Sequence, residues 1–91
     1  MKLPFTVKVF LDEASGDAPW VAYNPELGVA SCGPTEKKAR ANLKEALDIV
    51  LAGAKKDGNL EELLKNSGFT VKGSKILPPK VVFESILFPS I

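Results

Sequence analysis

The feature that most constrains this chain is a change of hydrophobic period at Gly33-Pro34-Thr35. Before it, apolar residues recur at every second position, the pattern of strands with one buried face. After it they recur at steps of three and four, the pattern of an amphipathic helix. A chain that switches period in this way buries the helix stripe against the sheet face, which is an α+β arrangement. The reading predicts a three-stranded antiparallel meander packed by a long helix, then a short second helix and a closing C-terminal strand.

The strands come from residue type as well as period. Over residues 5–12, Phe5, Val7, Val9 and Leu11 share one face, while Thr6, Lys8 and Asp12 share the other. Alternating β-branched and aromatic residues suit a half-buried strand. Phe10 is the exception on the polar side, placed either at the edge of the core or on a contact surface. Residues 13–19, EASGDAP, carry the turn chemistry of a hairpin connection. The second strand, residues 20–23, points Trp20 and Ala22 away from Val21 and Tyr23. Pro25 cannot donate to a ladder, so residues 24–28 are a turn. Residues 29–32 return as a third strand, with small side chains that leave room for a helix to pack closely.

Thr35 suits the helix N-cap because its hydroxyl can accept from an orphan backbone N–H. Glu36 then sits where the helix dipole favours an anion. Ala39, Leu43, Ala46, Leu47, Val50, Leu51 and Ala54 form one apolar stripe. Lys55, Lys56 and Gly58 close the helix. Asn59 with Glu62 three residues on reads as a capping box for a second helix, and Gly68 stops it. Residues 69–77 hold a hairpin around Gly73-Ser74, and Pro78-Pro79 interrupts it. Residues 81–88, VVFESILF, are apolar on both faces apart from Glu84 and Ser85. A strand of that kind is expected either at the centre of a sheet or covered by another subunit, since a bare edge would aggregate. A homo-oligomer, dimer or tetramer, built through this strand is therefore expected.

Composition narrows the function classes. Ninety-one residues make one domain, 1–91, with a modest core. The net charge of +1 gives no footprint for nucleic acid. With no recognition-helix pattern, operator binding by this chain alone is not expected. There is no histidine, which removes the commonest general base and a favoured zinc ligand. The single cysteine, Cys32, can form no internal disulfide and fits a reducing compartment, with its side chain packed inside. No apolar run reaches the ~18 residues of a membrane span, and residues 1–10 lack a leader's apolar region. A cytoplasmic protein without catalytic, metal or cofactor residues is expected.

The string WVAYNPELGVASCGPT, followed by Ala39-x-x-Asn42-Leu43-Lys44-Glu45-Ala46-Leu47, resembles the HicB-type antitoxin family. Its elements there are an aromatic strand at residues 20–23, the Pro25-Glu26-Leu27 turn, Ser31-Cys32, the Gly33-Pro34-Thr35 helix start and the Asn42 to Leu47 helix. The turn departs from the common Pro-Asp-Leu-Pro-Gly form by one residue. The resemblance implies a partial ribonuclease H-like fold and a partner, a small mRNA-cleaving toxin of the HicA type. In that family the antitoxin covers the toxin's catalytic histidine and RNA-binding face.

A basic ribonuclease would be drawn to acidic and aromatic groups. Phe10, Asp12, Glu13, Asp17, Trp20, Tyr23 and Glu26 supply them around the first hairpin and the following turn. Trp20 and Tyr23 could instead anchor the helix on the sheet, but they point to opposite faces, so at most one belongs to the core. Two other readings stand beside this one. The first is an orphan oligomeric binding module with no toxin. The second is a metal-dependent ribonuclease H-like nuclease, with Asp12, Glu13, Asp17 and Glu45 as the candidate ligands of Mg²⁺.

Overall fold

A computed structural model describes residues 3–89 of the chain. Three strands, β1 (Lys8–Leu11), β2 (Trp20–Asn24) and β3 (Val29–Gly33), form an antiparallel sheet in the order β1-β2-β3. Helix α1 (Glu36–Lys56) crosses one face of it. The short helix α2 (Leu60–Asn66) follows, and β4 (Thr70–Lys72) pairs with β5 (Lys75–Leu77) as a separate hairpin. The α+β arrangement and the meander under a long helix are as the sequence predicts.

The register decides which side chains meet the helix. Val9 lies opposite Ala22, which lies opposite Ser31, and Leu11, Trp20 and Gly33 align in the next row. This is the helix-facing side. Ala22, Ala39, Leu43 and Leu47 form its buried cluster, with Phe5, Val9, Trp20, Leu27 and Val29 packed around it. Ala22 and Ala39 are both fully buried, so small residues on sheet and helix let the two layers approach.

Gly33 fixes that approach. A Cβ on Gly33 would lie 2.7 Å from the backbone nitrogen of Ala39, closer than real contacts allow. Only glycine fits where β3 turns into the helix. The Thr35 hydroxyl accepts from the N–H of Lys38 at 3.1 Å, the N-cap bond its residue type predicts. Lys55 and Lys56 occupy the last turn, where the dipole favours cations.

The far end of the sheet is tied by Asn24, a fully buried polar residue. Its amide donates to the Thr6 carbonyl at 2.8 Å and to Glu26 Oε1 at 2.9 Å, while its Oδ1 accepts from the N–H of Leu27. Beyond α1, Leu64 and Phe69 are buried, and the Phe69 ring meets Phe5 edge-on at 5.5 Å. That contact joins the second half of the chain to the segment leading into β1.

Four local expectations are corrected. The closing strand at residues 81–88 is not formed: residues 78–89 carry no helix or strand, and residues 80–89 are exposed. An extended apolar segment becomes a strand only when a neighbour completes its ladder, and among the described residues of the chain nothing pairs with it after Pro78-Pro79. The first strand is shorter than residues 5–12, because Thr6 spends its backbone groups on Glu26 and Asn24 instead of a ladder. Asn59 precedes α2 without a side-chain capping bond. Cys32 is exposed rather than packed inside.

Candidate functional site

The side of the sheet turned away from α1 is built by the alternate residues of the same strands. The ladder places Phe10, Val21 and Cys32 in one row and Lys8, Tyr23 and Ala30 in the next. No element of the described chain covers this face. Phe10 is 40% exposed, Cys32 and Ala30 are exposed, and Val21 and Tyr23 are half-buried among their neighbours. The Lys8 ammonium sits 5.4 Å from the Phe10 ring centre, giving the apolar patch a cationic corner.

An acidic turn borders the Phe10 end. Asp12 caps a single 3₁₀ turn, Glu13–Ser15, accepting from the N–H of Ala14 at 3.2 Å and from the Ser15 hydroxyl at 2.8 Å. Gly16 follows at φ +63, a left-handed conformation that glycine adopts without strain. The N–H of Asp12 donates to the Pro19 carbonyl at 2.6 Å and closes the loop at its base. Glu13 and Asp17 are exposed, so two carboxylates face water on a loop whose shape Asp12 holds.

The seven residues singled out from the sequence therefore divide. Phe10 and Tyr23 share the open face, and Glu13 and Asp17 lie on the loop at its border. Asp12 is committed to the loop's own geometry. Trp20 lies on the opposite side, packed against the core cluster. Glu26 is half-buried and works inside the fold: its Oε1 accepts from the N–H of Thr6 and from Asn24, while its Oε2 is buried without a partner among the described residues.

Val21, Ala30, Cys32 and Lys8 belong to the open face and were not singled out. The signal was the phase of the alternation, since Val21 shares its face with Tyr23. The contribution of β3 depended on the length of the turn from Asn24 to Val29, which sets the register. Glu45 is exposed on α1. Among the described residues, no three of His, Cys, Asp and Glu are grouped so as to hold a metal ion. No helix among them is long and apolar enough to cross a membrane.

No protein-family model, curated protein or solved structure matches this chain.

Proposed function

We propose that the chain is an antitoxin of the HicB type, acting in the cytoplasm by laying the open face of its sheet over the active site of a HicA-type mRNA-cleaving toxin. The observation that carries this reading is the uncovered patch of Phe10, Val21, Tyr23, Ala30 and Cys32, bordered by the carboxylates of Glu13 and Asp17. Aromatic anchors within a charged rim are the usual composition of the few residues that dominate an interface. Carboxylates at the rim speed encounter with a basic partner, and they reject acidic ones. A ribonuclease face that receives RNA phosphates is such a partner.

The element order supports the same reading. The resemblance implies a β-β-β-α core of the partial ribonuclease H-like kind, and the order here is three antiparallel strands followed by a long helix. Inhibition would be steric. The antitoxin forms and breaks no bond, and the toxin's histidine is shut off from RNA by shape and by apolar contact around Tyr23.

The test is a ribonuclease assay. A HicA-type toxin is incubated with a messenger RNA, with and without the purified chain. Loss of cleavage at stoichiometric protein supports the proposal; full cleavage with the chain in excess overturns it. Where cleavage is lost, Tyr23→Lys should restore it while leaving the circular dichroism of the chain unchanged.

A further inference from the structure

Besides the open face of the sheet, two further apolar surfaces of this chain face water. The first is residues 81–88, in which Leu87 is 95% and Phe88 80% exposed. The segment leaves the body at Pro79, which packs on Gly68, and then stands off from it. The Cα radius of gyration is 15.5 Å, against about 12 Å for a compact chain of this length.

The second is a groove of about 670 Å³ between α1 and the segment leading into β1. Leu3, Phe5, Val7, Leu43, Leu47 and Leu51 line it, and Arg40, Lys44 and Asp48 stand along it on α1. Val7 is 44% exposed there, although its phase in the alternation belongs to the helix-facing side.

We propose that this groove receives residues 80–88 of a second copy of the chain, so that two protomers exchange C-terminal segments about a twofold axis. The charges argue for the occupant. Lys80 and Glu84 are the segment's only charged residues, and in an extended chain they lie on the same face, roughly 13 Å apart. Asp48 and Arg40 are separated by roughly 12 Å along a helix. Lys80 set against Asp48 therefore brings Glu84 to Arg40, with Lys44 as a second cation beside it. The present partner of Arg40, Glu36, is exposed at 3.6 Å and holds it weakly.

The direction is consistent with the sheet. The start of α1 lies at Gly33, in the row that ends at Leu11, while the groove further along α1 meets Phe5 and Val7. Helix α1 thus runs against β1. A segment with Lys80 at Asp48 and Glu84 at Arg40 also runs against α1, and so runs parallel to β1. Among the described residues the outer edge of β1 is unpaired, since β1 is the end strand of the sheet. The incoming segment adds to that edge as a fourth strand, and its backbone groups gain the ladder they lack in one chain.

A symmetric pair makes the contact twice. Val82, Ile86 and Phe88 share the face that carries Lys80 and Glu84, so each segment turns one phenylalanine, on the order of 150 Å², into the groove beside two aliphatic side chains. Because the contact is made twice, about 600–1,000 Å² hidden at each groove reaches the ~1,200–2,000 Å² of a stable interface. The exchange is independent of the toxin reading, and its test needs no toxin.

The full chain is sedimented over a range of concentrations. A dimer is expected; a monomer throughout overturns the proposal. Ile86→Asp combined with Leu87→Asp changes only residues exposed in the single chain, and it should give a folded monomer. A dimer that survives those changes counts against the exchange. Glu84→Lys should weaken dimerisation about tenfold.

A cross-link then separates exchange from folding back. In a Cys32→Ser background, Asp48→Cys and Lys80→Cys are placed on different chains, mixed, and treated with a short bis-maleimide. Covalent dimers joining the two chains support exchange. If cross-linking occurs only when both substitutions sit on one chain, at monomer mass, the segment folds onto its own groove and the proposal fails.

Discussion

Asn24 and Glu26 hold the segment leading into β1 as a unit. The Asn24 amide donates to Glu26 Oε1 at 2.9 Å, and that same oxygen accepts from the N–H of Thr6, whose carbonyl takes the other amide proton. Two segments distant in sequence, Thr6 and the turn from Asn24 to Leu27, meet at one buried side chain. Asn24→Ala leaves the Leu27 N–H and the Thr6 carbonyl unpaired inside, an expected loss of about 1–3 kcal/mol. Urea unfolding measures it. Because Glu26→Ala breaks part of the same network, the double variant should lose less than the sum of the two single losses.

Gly33 is the position where sheet and helix touch. With a Cβ only 2.7 Å from the Ala39 nitrogen, Gly33→Ala forces β3 and α1 apart. Overpacking of this kind costs about 1–3 kcal/mol. At roughly 4–8 °C of melting temperature for each kcal/mol, a thermal scan detects it readily. Gly53, which has open space around it, should accept alanine without such a loss.

Thr35 carries the N-cap bond to Lys38. Thr35→Ala removes the acceptor and should cost about 1 kcal/mol. Thr35→Asp keeps an acceptor at the helix's positive end, and should restore most of the stability in the same unfolding experiment.

Cys32 is exposed on the open face of the sheet. In the folded chain its thiol should react with a maleimide as rapidly as in a denatured sample. A toxin seated on that face would protect it, and the labelling rate in the complex should fall about tenfold or more, reported by intact mass.

The α+β arrangement was legible because the period of hydrophobicity changes cleanly at Gly33-Pro34-Thr35. The cap at Thr35 and the apolar stripe from Ala39 to Ala54 follow from residue type and spacing alone. The placement of Trp20 and Tyr23 on opposite faces was equally readable. Alternation alone could not say which of the two meets the helix, because that depends on which face α1 covers. Glu26 looked like a surface acid, and its use inside the fold depends on Asn24 and Thr6, contacts that no local pattern encodes. Residues 81–88 have strand composition without a strand, because a ladder is a property of two segments and the second is missing from the single chain.

The most direct measurement is inhibition of RNA cleavage by a HicA-type toxin, comparing the unsubstituted chain with a Phe10→Lys, Tyr23→Lys double variant whose unfolding midpoint is unchanged. Full inhibition by the first, with at least a hundredfold higher concentration needed for the second, is the expected result, about 2.7 kcal/mol of binding. Equal inhibition by both would place the docking surface elsewhere, and no inhibition by either would contradict the antitoxin reading altogether.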